Sequence, residues 1–339
     1  MNHYKNLSIQ ETSIGDYALV PIRMQDRECI RVWRNQQMYH LRQQQALTVE
    51  QQEAYFETVV AKLFEESEPK QLLFSYLHKG ECIGYGGLVH IDYQKKSAEL
   101  SFIMNTELEI DAFETHWTNY LQLIEPIAFN GIQLNKIYTY AFDLRPHLYP
   151  VLTKNGFLHE RIIPNALIEN EQSIPAHIHS KWNAKLRLIT QDDRETTYQW
   201  AINPVVRKYA FQVSEITQTI HENWFMRKLE DKHCFYYILE SASAETLGSI
   251  RFDIDASEPS INHGEQRTAL ISYLIDPSLH GQGWGLAILV MGEESAKYHG
   301  IQCLIGEVKP ENTSSCAIFA KLGYESEIKS DRIRFKKSL

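Results

Sequence analysis

The hydrophobic pattern of the chain runs through one series of elements twice. In each pass a β-branched, strand-like stretch leads into helical spacing around a tryptophan, and a second helical stretch ends in "YF" (Tyr55, Phe56) or "WF" (Trp224, Phe225). Two apolar runs with a polar, turn-forming centre follow, at residues 71–91 and 234–254, and read as antiparallel hairpins. A further strand is predicted at 98–104 or 269–275, then a helix, another strand, a short helix and a closing hairpin. The long helix carries a buried-type stripe at Trp117, Tyr120, Leu121, Ile124 and Ala128 in the first pass, and at Leu286, Leu289 and Val290 in the second. Mixed α/β architecture (α+β) follows.

The two passes share letters as well as pattern. "LVPIRMQDRECIRVW" (19–33) returns as "LRLITQDDRETTYQW" (186–200), aligning Ile22 with Ile189, Asp26 with Asp193 and Trp33 with Trp200. Further pairs keep the same order: "LTVEQQEAYF" with "ITQTIHENWF", "IGYGGLVHID" with "LGSIRFDID", "AELSFIMN" with "ALISYLID", "NGIQ" with "HGIQ", and "KNGF" with "KLGY". The period is too long for a solenoid, so each copy should own its core. The expected organisation is an N-terminal extension (1–15), a first domain (16–183) and a second (184–339). The segment "IPNALIENEQSIPAHIHSKWN", with two prolines and polar turns, is expected to close the first copy with a hairpin before the join.

Composition narrows the classes. At 339 residues, 43% hydrophobic and 23% charged, the chain has globular character and room for two cores. Five scattered cysteines, without a Cys-x-x-Cys, suggest neither a disulfide framework nor a zinc site, so no metal is expected. No signal-peptide pattern or membrane-length apolar run is seen, which predicts a cytoplasmic protein without a membrane partner. A net charge of −9 opposes general nucleic-acid binding.

The chemistry concentrates in "LIDPSLHGQGWGLAILV". Gly281, Gly283 and Gly285 stand between a strand and an apolar helix, where amides free of side-chain cover can converge on an anion beside the positive end of the helix dipole. Gly-Lys followed by Ser or Thr is absent, which excludes a Walker loop, and the loop lies too deep in its domain for a dinucleotide-binding fold.

These residues, with "GEVKPENTSSCAIFAKLGY" downstream, resemble the GNAT acetyltransferase superfamily: a strand, a glycine loop opening a helix, a further strand, and an Asn-led helix ending in Gly-Tyr. The resemblance spans nearly the whole chain as two tandem domains, each a mixed, mostly antiparallel splayed sheet flanked by helices. "VWRNQQMYH" and "WAINPVVRKYAFQVSEITQTIHENWF" are most similar to the branch of ribosomal-protein and nucleotide-sugar amine acetyltransferases. The resemblance implies acetyl-CoA as cosubstrate. The amides of Gln282, Gly283, Trp284 and Gly285, with His280 and Gly281 leading in, would cradle its pyrophosphate. A backbone N–H near Leu274 or Ile275 would polarise the thioester, and Asn312 would touch the cofactor arm or cap its helix. His280 stands where the family usually has Arg or Gln. Phe319 stands where a proton-donating tyrosine is common.

For the general base, Glu307 is the first candidate by position, at a strand end. His221 matches a family histidine, and Glu265 qualifies by residue type. Trp200 and Trp224 read as core anchors and Arg207 as a solvated helix arginine. In the first copy the glycines give way to "NTELEIDAFETHW", Arg145 holds the Asn312 position and Leu152 the Phe319 position, so this copy is expected to keep the fold and to have lost the cofactor. The reading is an N-acetyltransferase acting on a primary amine, with an amino sugar on a nucleotide carrier as acceptor. The alternatives are acetylation of a peptide or protein amine, and a non-catalytic acyl-CoA-binding scaffold. A homodimer is left open.

Overall fold

A computed structural model describes residues 3–169, 171–254 and 267–339. The chain divides into two units, Met1–Asn183 and Ala184–Leu339.

The first unit holds β1 (Thr12–Ile14), β2 (Tyr17–Pro21), α1 (Arg27–Gln36), α2 (Val49–Tyr55), α3 (Ala61–Leu63), β3 (Leu72–His78), β4 (Glu81–Asp92), β5 (Ser97–Met104), α4 (Thr106–Asp111), α5 (Phe113–Pro126), β6 (Lys136–Phe142), α6 (Leu148–Lys154), β7 (Leu158–Glu169) and β8 (Gln172–Trp182). Its sheet runs β1-β2-β3-β4-β5-β6-β8-β7, antiparallel throughout except for the parallel pair β5/β6.

The second unit holds β9 (Ala184–Leu188), α7 (Arg194–Ile202), α8 (Pro204–Arg207), α9 (Gln218–Glu230), β10 (Cys234–Ser241), β11 (Thr246–Ile254), β12 (Thr268–Ile275), α10 (Trp284–Tyr298), β13 (Cys303–Val308), α11 (Thr313–Lys321), β14 (Glu325–Ile328) and β15 (Ile333–Ser338). Its sheet runs β14-β15-β13-β12-β11-β10-β9, again with a single parallel pair, β12/β13, among the described residues. The shared order of elements is the mixed α/β fold that the repeated pattern predicts.

Residues 3–15, read from the sequence as an extension, pack into the first unit. Tyr4 is buried; its hydroxyl donates to the Leu73 carbonyl at 2.6 Å and accepts the Leu73 N–H at 2.9 Å. The amphipathic stripes of the long helices become core: Trp117, Tyr120, Leu121 and Ile124 on α5, and Leu286, Leu289 and Val290 on α10. The hairpin expected before the join is β7/β8, closing the first sheet.

The aligned aspartates show how each copy meets the same electrostatic demand. Asp26 and Asp193 are both buried just ahead of the tryptophan helix. A buried carboxylate is costly unless it is paired and hydrogen-bonded. Asp26 takes a two-point grip from Arg23 at 2.7 and 2.8 Å; Asp193 takes one from Arg187 at 2.7 and 2.6 Å. Arg23 and Arg187 are not aligned with each other, so each copy supplies its guanidinium from a different place.

Two buried histidines of the first unit link its stability to pH. Burial, reinforced by Arg145, lowers His40 to about 3; burial, reinforced by His159 and His177, lowers His179 to about 4. The unfolded chain protonates both near the ordinary histidine value, so it binds more protons than the native unit once the pH falls below that value. The first unit is therefore expected to keep its full stability above that range and to lose about 1.4 kcal/mol per pH unit for each histidine as the pH falls from about 6 toward 4. Urea unfolding at pH 7.5 and 5 should show this loss, and His179→Asn should reduce it.

Candidate active site

The site grows from one interruption of the second sheet. β12 pairs in parallel with β13 only from Thr268↔Cys303 to Ile271↔Gly306. β12 continues to Ile275 and β13 to Val308 without further pairing, while the other edge of β12 stays paired with β11 as far as Ile275. Residues 272–275 thus present one unladdered backbone edge. Tyr273 occupies part of the divergence: its hydroxyl donates to the Ser315 Oγ at 2.9 Å, and its ring meets that of Phe319 edge-on at 6.0 Å. Burial pushes the Tyr273 phenol up to about 12, so it is protonated at neutral pH.

The glycine loop sits at the end of this edge. The Asp276 side chain accepts the Ser278 N–H at 2.9 Å and the Trp200 indole N–H at 2.8 Å, which ties α7 to the end of β12. The His280 ring lies 3.1 Å from the Ile275 carbonyl through Nε2, the nitrogen that carries the proton in this contact. His280 therefore braces the loop against the strand. Gly281 and Gly283 adopt φ of +83° and +87°, and a Cβ on either would meet nothing within 4 Å. These glycines are required by backbone conformation, and the space beside them is open. Gly283 is the N-cap of α10, followed by Trp284, whose ring is buried, and Gly285, where a Cβ would lie 2.9 Å from Ile318. The amides of residues 282–285 have no carbonyl acceptor among the described residues, as expected for the opening turn of a helix. Asn312 caps α11, its Oδ1 accepting the Ser315 N–H at 3.3 Å. The loop thus has the donors, the space and the helix-end polarity to hold a pyrophosphate.

Next to the unladdered edge lies a cleft of about 120 Å³ lined by Thr197 and Ala201 of α7, His221 and Trp224 of α9, Tyr236, Ser249 and Arg251, and Ser272, Tyr273 and Leu274 of β12. Two sequence candidates, His221 and Leu274, meet here. His221 is buried, and its Nε2 has no hydrogen-bond partner among the described residues. Burial lowers its pKa, so the imidazole is neutral at pH 7 and holds a proton-accepting nitrogen when the proton is on Nδ1.

Glu307 is not among the residues lining this cleft. It is ion-paired with Arg332 at 2.5 Å, and that guanidinium stacks over Phe211 at 4.4 Å. Glu265 lies outside the described residues. Trp200 is a buried anchor, whereas Trp224 differs from its sequence reading: it lines the cleft and carries the Arg251 guanidinium over its ring at 5.0 Å. Arg207 donates to the Ser214 carbonyl at 2.8 Å. Phe319 is buried between Phe335, Tyr324 and the Cα of Gly306, and has no proton to give. Tyr273, Arg251, Ser249 and Thr197 escaped sequence reading because they come from three separate elements, β12, β11 and α7, and carry no shared motif.

The first unit repeats the interruption and closes it with its own side chains. β5 pairs with β6 only from Ser97↔Lys136 to Glu99↔Tyr138. Arg42 pairs with Glu99 and lies over the Tyr140 ring at 4.5 Å, and Gln37 donates to the Met104 carbonyl at 2.8 Å. Helix α4 replaces the glycine loop. Its Glu109 pairs with Arg145, in the Asn312 position, at 2.8 Å, both side chains about 10% exposed. An anion approaching here would meet Glu107, Glu109 and Asp111.

Among the described residues no group of histidine, cysteine, aspartate and glutamate side chains could hold a metal ion, and no helix is long and apolar enough to cross a membrane. No curated protein matches the chain. Solved structures similar to it include a spermidine N-acetyltransferase from Vibrio cholerae in complex with CoA and spermine (18% identity, TM-score 0.43, covering 49% of this chain and 95% of that one). Another is the GNAT domain of PAT from S. lividans (20% identity, TM-score 0.38, 46% and 90% covered). An aminoglycoside acetyltransferase in complex with coenzyme A is also similar (17% identity, TM-score 0.38, 46% and 94% covered). Family models described as acetyltransferase (GNAT) domains match residues 19–178 and 184–325. The chain belongs to the GNAT acetyltransferases, as two tandem domains of that family, and is an acyltransferase that uses acetyl-CoA.

Proposed function

We propose that the second unit transfers an acetyl group from acetyl-CoA to the primary amine of a small acceptor, an amino sugar on a nucleotide carrier, and that the first unit is a degenerate copy without an acetyl-CoA site. One observation carries the reading: buried His221, whose Nε2 has no hydrogen-bond partner among the described residues, is one of the residues lining the same cleft as the part of β12 that has lost its neighbour.

Acetyl-CoA supplies the activated acetyl group as a thioester. In this reading the amides of Gln282, Gly283, Trp284 and Gly285 hold its pyrophosphate, Asn312 borders its arm, and the free edge near Leu274 and Ile275 receives the extended chain as an added strand would be received. A backbone N–H of that edge polarises the thioester carbonyl. His221 takes the proton from the acceptor's ammonium, for which a neutral imidazole is required. Trp224, Tyr236 and Tyr273 displace water from the cleft and offer faces for a sugar, while Thr197, Ser249 and Ser272 offer hydroxyls. No carboxylate lines the cleft among the described residues, which weighs against a polycationic acceptor.

His221→Gln is expected to lower kcat by about 100-fold or more with little change in the KM for acetyl-CoA. Because burial lowers its pKa, the wild-type rate should hold below the usual histidine range as the pH falls; thiol-release kinetics from pH 5 to 8 measure both effects. Calorimetric titration with acetyl-CoA should give one site per chain. Gly283→Glu should abolish it, because the position needs positive φ and the new carboxylate would face the pyrophosphate. Two equivalent sites, or unchanged affinity in the variant, would contradict the assignment.

A further inference from the structure

We infer that Arg251 reads an oxyanion on the acetyl acceptor, so that the preferred substrates are amines that also carry a phosphate. The inference rests on the cleft's being the acceptor site and names the side chain that selects the substrate class.

Arg251 lies on β11 directly opposite Ser272 of β12, and both line the cleft. Its guanidinium carbon lies over the Trp224 ring at 5.0 Å and the Tyr236 ring at 5.8 Å. Its Nε donates to Asp253 Oδ2 at 2.7 Å, and the other oxygen of Asp253 accepts from Lys228 Nζ at 2.8 Å. Lys228 also bonds Asp231 at 3.1 Å. Asp253 is thus shared between two cations and fixes the Nε side of the fork. The far end is nearly unused. Nη2 has only Ser272 Oγ, at 3.4 Å, the limit of a hydrogen bond, and Nη1 has no acceptor among the described residues.

A guanidinium oriented by a carboxylate on one side, backed by aromatic faces and left with two parallel N–H groups, matches the geometry of an oxyanion. An ammonium group of the acceptor would instead be repelled from this end of the cleft. The amine is therefore directed away from the Arg251 guanidinium and the anion toward it, while His221 lines the same cleft as a neutral imidazole. A purely structural Arg251 would satisfy Asp253 and cover Trp224 equally well with any acceptor bound, and this difference is measurable.

The test uses the full chain with saturating acetyl-CoA and four acceptors: glucosamine, glucosamine 6-phosphate, a uridine diphosphate-linked amino sugar, and spermidine. The wild type should favour a phosphorylated acceptor over free glucosamine by about 100-fold in kcat/KM. Arg251→Gln should remove most of that preference through KM, lowering kcat/KM for the phosphorylated acceptor by about 10-fold or more beyond whatever it costs with glucosamine. Arg251→Lys, which keeps the charge and loses the fork, should recover only part of it, and this variant decides the matter if the glutamine variant does not fold. Which phosphorylated acceptor is favoured separates a sugar phosphate from a nucleotide carrier. Equal losses for all four acceptors, or a wild-type preference for spermidine, would overturn the inference. If the wild type releases no thiol with any amine, the transfer reading fails on its own. Titration of the uridine diphosphate-linked amino sugar into wild type and Arg251→Gln then still decides the role of Arg251: an affinity loss of about 10-fold or more supports it, and equal affinities overturn it.

Discussion

The second unit depends on a backbone that stops being paired. A strand inside a sheet ordinarily spends its N–H and C=O groups on both neighbours, and a buried group left without a partner is costly. β12 gives up its β13 neighbour after Ile271 while keeping β11 along its whole length. The separation is held open by matter, since Tyr273 is anchored on Ser315 and Phe319 presses on Gly306. The free edge can then be satisfied by an extended ligand, and it ends where the loop offers unused amides. Strand edge, glycine loop and cleft are three consequences of one interruption.

The first unit shows the other resolution of the same problem. Its β5 parts from β6 one residue before the aligned position, but Gln37 takes the Met104 carbonyl, Tyr120 takes the Ser101 carbonyl, and the Arg42–Glu99 pair lies against Tyr140. Where the second unit has flexible glycines and free amides, the first has a carboxylate-rich helix clamped by Arg145. Polar groups that would receive a ligand are satisfied internally, and the local charge opposes a phosphate. Such a unit keeps its core, with Trp117, Tyr120 and Leu121 buried as their spacing requires, and under the proposed reading it holds no acetyl-CoA.

What could be read from the sequence was local or repeated. The glycines with positive φ, the stripe on α10, the Asn312 cap and the matching tryptophans each follow from a few adjacent residues, and the duplication checked every element against its twin. The cleft was not legible in that way. His221 could be named by type but not located, because its burial depends on α9 packing over β10 and β11. Glu307 drew attention as a strand-end carboxylate, and only the fold brings Arg332 to it from 25 positions away in sequence. Arg251 and Tyr273 read as ordinary strand residues, since their chemistry arises from neighbours on other elements: Trp224 and Asp253 for one, Ser315 for the other.

Hydrogen exchange of the full chain with and without acetyl-CoA tests the central claim most directly, because it reports on backbone amides. Slowed exchange is expected within residues 272–275 and 281–285, with no change at 100–104 or in α4. Protection of the first unit's strand edge, or none along β12 and the glycine loop at saturating acetyl-CoA, would contradict it.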